Sequence, residues 1–390
     1  MAGDQQDFDI IVVGGGLVGA AGAVALALQG YRVAIIDRNH TESEPAADWD
    51  SRIYAISPGN VRWLASLGVW PKLDAERCCA ISSMEIWADA DSSLAFDAYE
   101  SNLASLGVIV EGGRLQQALY QRLDELGVTR FSGVECKNVE FHHHHTKLVD
   151  AAGNEWHANL LVAADGAGSW LRQQADITSQ RHDYAQQGVV ANFECEWPHQ
   201  HRARQWFFDD GVLAWLPLPG KRISIVWSLA NDKAEQLLQL DALDFVKEVS
   251  AAGQHSLGRL RLITPAAAFP LMLQTPDTLI KPGLALVGDA AHQIHPLAGQ
   301  GVNLGFRDVV ALIGALGTPN PVRLPGDITG LRRYERARKA DMMAMRMVTH
   351  GLHGLFAHEQ PWIKTLRGWG MQQVNGHAGL KKRLIQQAII

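Results

Sequence analysis

The segment Phe8–Asp37, FDIIVVGGGLVGAAGAVALALQGYRVAIID, restricts the fold more than any other stretch of this chain. Phe8–Val13 is an apolar run of strand length that leads straight into glycines. Ala20–Gln29 has the small residues of a closely packed helix, and Gly30 stands where a helix stops. Tyr31–Asp37 is a second apolar strand ending in an acid. Gly14, Gly16 and Gly19 fit G-x-G-x-x-G, and Asp37 lies 23 positions beyond Gly14. Glycine at these positions permits a tight turn, close approach of a pyrophosphate and helix–strand packing, while the acid suits a ribose hydroxyl. A bare small-residue turn explains the glycines but not the strands, helix and acid around them. The segment reads as a dinucleotide-binding unit opening a parallel sheet.

At 390 residues the chain has room for two domains or one elaborated domain. Hydrophobic residues at 47% and charged residues at 19% are ordinary for a soluble α/β enzyme. A formal net charge of -6, with no long basic tract, argues against a nucleic-acid partner. Cys78, Cys79, Cys136 and Cys195 show no C-x-x-C spacing, which fits a reduced, cytoplasmic setting. The polar, acidic start MAGDQQDFDI is not that of a secretory signal. No uncharged apolar run reaches the ~18 residues of a membrane helix, so membrane contact is expected to be peripheral at most.

Asn39–Asp50 reads as a loop, and Ser51–Ser57 leads into a helix-like NVRWLASLGVW. Arg52 falls where the chain returns across the dinucleotide, and its residue type equally suits a surface position. Ile81–Tyr99 reads as strands of a separate, mainly antiparallel sheet. Glu111–Leu126 is an amphipathic helix whose start carries Arg114 and Gln117, facing either a cofactor or solvent. Val134–His145 and Lys147–Trp156 resemble a hairpin with AAGN as its turn. The run His142–His145 has no acid or cysteine to complete a metal site, and a solvated edge explains it better. Leu160–Arg172, LLVAADGAGSWLR, is a buried strand followed by Asp165, Gly166, Ser169 and Arg172. Gln187–Glu196 and Arg204–Leu229 alternate with period two, as strands with one apolar face do. Ala234–Ala251 is an amphipathic helix, and the last third is helical, with breaks at Pro319–Pro325 and a basic LKKRLIQQAII at its end.

Gly283–Asp308, GLALVGDAAHQIHPLAGQGVNLGFRD, is the second anchor of the chain. An apolar strand ends in Gly288-Asp289, and a loop with Pro296 and glycines precedes a helix expected from about Asn303. Asp289 suits sugar-type hydroxyls, glycines admit a flat ligand, and a helix start offers unpaired N–H groups to a partly anionic edge. Those properties suit a flavin better than a nicotinamide.

The ordered set GGGLVG with Asp37, ADGAGSWLR, and VGDAAHQIHPLAGQGVNLGFRD resembles the class A flavoprotein aromatic hydroxylases of the para-hydroxybenzoate hydroxylase type. Within that class, His295–Asp308 resembles the signature of the ubiquinone-biosynthesis hydroxylases. The resemblance implies a mixed α/β fold: a Rossmann-like FAD-binding domain, an inserted mainly antiparallel substrate sheet, and C-terminal helices. It places the FAD domain at 1–75, 105–180 and 275–345, the substrate sheet at 76–104 and 181–274, and a helical segment at 346–390. Gly14, Gly16 and Gly19 are implied at the pyrophosphate, and Asp37 at the adenosine ribose. Arg52 and Arg114 are implied at the FAD, Asp165 at FAD and reduced nicotinamide, and Gly288 and Asp289 at the ribityl chain. Pro296, Gly299, Gln300, Gly301, Val302 and Asn303 are implied around the flavin ring, with Pro296, Gly301 and Asn303 nearest the chemistry and His292 structural. Trp206–Phe208 and Leu213–Leu218 are expected as a dry wall, while His295, Tyr184 and Tyr99 are the candidates for a base. The implied reaction uses FAD, NAD(P)H and O2, through a flavin C4a-hydroperoxide, to hydroxylate an apolar, polyprenylated phenol. No metal is expected. Peripheral contact at the inner face of the cytoplasmic membrane, membership of a multi-enzyme ubiquinone-biosynthesis complex and self-association stay open. So do the alternatives of a flavin monooxygenase acting on another aromatic substrate, a flavin oxidase or dehydrogenase of related fold, and a flavin-binding accessory subunit of a quinone-biosynthesis complex. A disulfide-type flavin reductase lacks its second G-x-G-x-x-G and its C-x4-C here, and a halogenase lacks W-x-W-x-I-P.

Overall fold

A computed structural model describes residues 6–40, 48–89, 92–142, 145–293 and 301–357. Its organising strand is Gln6–Val13, which pairs in parallel with Val33–Asp37 on one side and with Glu155–Ala163 on the other. Glu155–Ala163 in turn pairs in parallel with Leu284–Leu286, and Val33–Asp37 with Thr129–Ser132. Ile10, Ile11, Val12, Leu160, Leu161 and Val162 are buried, as parallel strands covered on both faces must be. The register aligns Val13 with Ile36 and with Ala163, and Ala163 with Leu286. Three motifs separated by well over a hundred residues therefore end at one edge of one sheet: Gly14, Asp165 and Gly288 follow neighbouring strand ends. In open parallel sheets that carboxyl edge is where ligands bind.

A second sheet runs in the order 260–262, 179–195, 222–230, 211–218, 202–208, 83–89, 92–97, with 267–276 also on 179–195. Its pairings are antiparallel except the parallel pair of Arg202–Phe208 with Ser83–Asp89. Three short strands, Ile53–Ile56, Gly107–Glu111 and Cys79–Ile81, form a third sheet. The mixed α/β expectation holds, with one refinement: Cys79–Ile81 joins this small third sheet rather than the large antiparallel one.

Other local readings change. Cys136–Phe141, Thr146–Asp150 and Glu155–Ala163 make a three-stranded meander, whose second turn is Ala151–Asn154 as expected. The long helix expected at Ala234–Ala251 is two, Asn231–Gln239 and Ala242–Ala252, because Asp241 turns out of the first and caps the second by accepting from Asp244 N. Both lie over one face of the second sheet, where Trp206, Trp215, Trp227, Phe193 and Phe245 form a core. Leu17–Leu28 packs on Gly301–Leu316. A Cβ on Gly305 would lie 2.4 Å from Val18 Cγ2 and 3.2 Å from Gly288 Cα, so the close helix approach requires glycine there. No helix among the described residues is long and apolar enough to cross a membrane.

Candidate active site

A polar cleft of about 830 Å³ opens where the first strand meets its helix. Gly14 has φ +105°, and a Cβ there would lie 2.3 Å from Ala164 O; a Cβ on Gly19 would lie 1.9 Å from Gly14 O. Those two glycines close protein on protein. Gly16 differs: its Cβ would meet nothing within 4 Å, so it faces the cleft. As N-cap of Leu17–Leu28 it supplies no side-chain hydrogen bond, and the first turn holds no acid. The N–H groups of that turn keep their capacity for an anion.

Asp37 stands across the turn, its Oδ2 accepting from Gly15 N at 2.5 Å and its Oδ1 from Asn39 N at 2.8 Å. Gly15 O accepts from Tyr120 Oη at 2.8 Å and from Gln116 Nε2. Arg114 and Gln117 both line the cleft. Arg114 Nε donates to Glu111 Oε2 at 3.0 Å, and Arg77 grips the same carboxylate with two bonds of 2.8 Å. Glu111 also accepts from Asp50 N at 2.9 Å, and Asp50 Oδ2 accepts from Gly113 N at 3.0 Å. This buried carboxylate fixes the loop that carries Arg52, whose own side chain is 74% exposed over the opening.

A second, more apolar cleft of about 610 Å³ continues from the first and shares Gly16, Leu17, Arg52 and Tyr54 with it. Val287, Gly288, Asp289, Gly301 and Val302 form one side. Asp289 opens into the cavity while protein crowds it elsewhere; burial raises its carboxyl pKa, His292 opposes this, and Asp308 adds to it. Asp165 itself lines neither cleft, although its chain neighbours Ala164 and Gly166 line the second. Its Oδ2 accepts from Leu171 N at 3.1 Å, whereas Oδ1 is buried without a partner among the described residues. Burial raises this pKa as well, outweighing hydrogen bonds from Ser169 and backbone N–H groups.

Two buried side chains couple the motifs. Arg172 donates to Ala290 O and to Ala167 O, each at 2.8 Å, tying the Asp165 loop to the Asp289 turn. Asp308 accepts from Gly288 N at 2.8 Å and from Arg338 Nε at 2.7 Å, and His292 Nε2 lies 2.7 Å from the same carboxylate. His292 is thus bonded within this buried network and lines neither cleft. Arg172 was visible in the sequence motif without a role; Glu111 and Tyr54 carried no signal at all.

The helix Gly301–Leu316 already includes Gly301, two residues before the expected start. Gly301 and Val302 line the cavity, but the Asn303 side chain turns away from it. Its Oδ1 accepts from Ser57 N (2.9 Å) and Asn60 Nδ2 (2.8 Å), and its Nδ2 donates to Ala55 O (2.7 Å). Asn303 pins the helix to Ile53–Ile56 and Pro58–Ser66. Pro296, Gly299, Gln300 and His295 lie outside the described residues. Tyr99 is 89% exposed, and neither it nor Tyr184 lines either cleft. The expected dry wall is also corrected. Trp206 and Trp215 point into the core beneath the helices, and Leu216 and Leu218 pack with Cys79, Ile81 and Ile109. The cavity wall is instead Val190, Val226, Ala267, Phe269, Leu271 and Met272. Val189 and Trp227, their sequence neighbours, are in the core, as a period-two strand demands. Among the described residues no group of three or more His, Cys, Asp or Glu could hold a metal ion.

An uncapped helix start beside an open glycine, an acid for a ribose, and a continuous path into an apolar chamber fit an extended dinucleotide bearing a flat reactive ring. The fold and clefts suit an FAD-binding protein. Residues 7–349 match the FAD binding domain family, to which the chain belongs, and the chain is an FAD-dependent aromatic monooxygenase related to the ubiquinone-biosynthesis hydroxylases. It is 36% identical to the 3-demethoxyubiquinol 3-hydroxylase of Escherichia coli (strain K12), covering 99% of each chain. It is 33% identical to ubiquinone hydroxylase UbiL of Rhodospirillum rubrum, over 98% of this chain and 89% of the relative. Pseudomonas aeruginosa PqsL, a probable FAD-dependent monooxygenase, superposes with a TM-score of 0.79 at 20% identity, covering 94% of this chain and 100% of that one. That last likeness concerns the fold alone.

Proposed function

We propose that this chain hydroxylates the aromatic ring of a polyprenylated phenol on the route to ubiquinone, with O2 as co-substrate and a reduced nicotinamide as electron donor. The supporting observation is the apolar chamber of about 610 Å³ that adjoins the polar cleft at Gly16, Leu17, Arg52 and Tyr54. The names of the relatives at 36% and 33% identity support the same pathway. Bound FAD supplies the redox chemistry, taking up electrons and activating dioxygen for transfer to the ring.

In this reading the protein's part is binding, orientation and exclusion of water. Gly14 and Gly19 hold the turn, and Gly16 with the first N–H groups of Leu17–Leu28 receives the pyrophosphate. Asp37 takes the adenosine ribose, and Arg52 and Arg114 take the FAD from the opposite wall. Asp165 serves the cofactor through the loop that carries Ala164 and Gly166, and Gly288 and Asp289 take the ribityl hydroxyls. The helix start at Gly301 and Val302 takes the edge of the ring, and the same role is assigned to Pro296, Gly299 and Gln300, which lie outside the described residues. The helix dipole stabilises negative charge there by about 0.3–2 kcal/mol. Val190, Val226, Phe269 and Leu271 keep water from the reacting atoms. A polyprenyl chain is nearly insoluble in water, so this reading has the enzyme receive substrate in the cytoplasm at a peripheral membrane or multi-enzyme contact. The test is mass-spectrometric profiling of quinone intermediates in a strain lacking the protein. One under-hydroxylated prenylphenol should accumulate; an unchanged quinone pool would refute the assignment.

A further inference from the structure

Gln293 lines the apolar chamber, and its side-chain Oε1 is buried with no hydrogen-bond partner among the described residues. A buried acceptor left unpaired is destabilising, so its persistence in a binding cavity points to a donor that arrives with a ligand. The residue is well placed to receive one. Its backbone N and O exchange two bonds of 3.1 Å with Gln274, which fixes it against the strand Ala267–Pro276. Gln274 is fully buried and is itself held, donating to Ala167 O at 3.2 Å and accepting from Arg181 Nε at 2.9 Å. That same strand contributes Phe269, Leu271 and Met272 to the chamber wall. Gln293 therefore presents a fixed acceptor beside an apolar surface.

The other polar side chains of the chamber, Ser51, Arg52, Tyr54 and Asp289, do not share this combination. Arg52 and Tyr54 lie where the chamber meets the polar cleft, and Asp289 is a carboxylate at the strand-end turn. An acceptor among aliphatic and aromatic neighbours selects a ligand with one hydroxyl donor on an otherwise apolar frame. We propose that Gln293 is a substrate-specificity residue whose Oε1 accepts the hydrogen bond of the free phenolic hydroxyl, orienting the ring while the aliphatic wall takes the prenyl substituent. This rests on the phenol-hydroxylase reading above and adds to it the group that recognises the hydroxyl. The bond also sets which ring carbon faces the oxidant, so its loss affects coupling as well as affinity.

The test uses the FAD-loaded enzyme and two probes, 2-geranylphenol and its O-methyl ether, which differ by the donor hydrogen. Binding is read from the change in flavin absorbance on titration, for the wild type, Gln293→Leu and the near-isosteric Gln293→Met. The wild type should bind the phenol about tenfold more tightly than the ether, the difference one buried hydrogen bond makes. In either variant the two probes should bind within about twofold of each other, at unchanged FAD affinity. Reduced-nicotinamide oxidation should then yield peroxide in place of hydroxylated product. Equal binding of both probes by the wild type, a measurement that needs no variant, would overturn the inference, as would discrimination that survives in both variants. A loss of FAD affinity in the variants would also overturn it, by assigning the acceptor to the cofactor. Failure of the wild type to bind either probe would overturn the phenol reading itself, and the inference with it.

Discussion

Asp308 offers the sharpest test of how the site is held together. The carboxylate is fully buried and serves three elements: Gly288 N at the strand-end turn, His292 after it, and Arg338 on Ile328–Ala357. Arg338 is itself 2% exposed, and its other carboxylate partner is Asp341, at 2.5 Å. Asp308→Ala leaves a buried guanidinium with Asp341 alone and orphans an N–H in the same place, which costs up to about 3–5 kcal/mol. Removing both charges, as in Asp308→Ala with Arg338→Met, removes the stranded charge as well, and most of that loss should return, because buried ion pairs roughly break even against apolar replacements. The assay is the thermal midpoint and FAD affinity of wild type, each single variant and the double variant. The expected order of stability places the double variant well above Asp308→Ala, with FAD affinity reduced wherever Gly288 loses its acceptor. Additive losses in the double variant, or a change below about 0.5 kcal/mol in Asp308→Ala, would refute the reasoning.

Three further outcomes follow from the same geometry. Gly16→Val should leave the apo-protein's thermal midpoint unchanged but weaken FAD binding, since a Cβ there meets no protein atom, whereas Gly14→Ala and Gly19→Ala should lower the midpoint itself. Asp289 has a raised folded-state pKa, so its contribution to apo stability is present below the unfolded carboxylate value and is lost as pH rises through the folded one. Asp289→Asn should accordingly melt at or above the wild type near neutral pH, the gap closing as pH falls, while its FAD affinity drops; melting curves of the apo forms from acid to neutral pH check this. Asn303→Ala removes the acceptor of Ser57 N and the donor to Ala55 O, and should cost about 1–3 kcal/mol in thermal or denaturant unfolding.

The first strand, helix and second strand were legible because their signals are local: glycines at fixed spacing, small residues, then an acid. The mixed α/β class was legible for the same reason, repeated along the chain. What brings Gly14, Asp165 and Gly288 together is strand register, and no single segment records it. Period two in Trp206–Phe208 and Leu213–Leu218 marks both as strand, yet alternation leaves undecided which face meets the ligand. The two helices at 231–252 cover the tryptophan face, and that packing decides the matter. Asn303 lies in the expected motif, but its bonds reach residues more than 240 positions away and are structural. Gln293 and Glu111 were illegible for a related reason. A lone buried acceptor and a carboxylate shared by two arginines are facts of burial, which sequence pattern does not carry.

The central claim is that one oxygen atom of O2 is transferred to a prenylated phenol in the chamber beneath Val190, Val226 and Phe269. Its most direct test is turnover of the FAD-loaded enzyme with 2-geranylphenol, reduced nicotinamide and 18O2, followed by mass spectrometry of the product. The account predicts substrate-stimulated nicotinamide oxidation and a product carrying a single 18O on the ring. Bound FAD with no labelled product, or a product whose new oxygen comes from water, would contradict it.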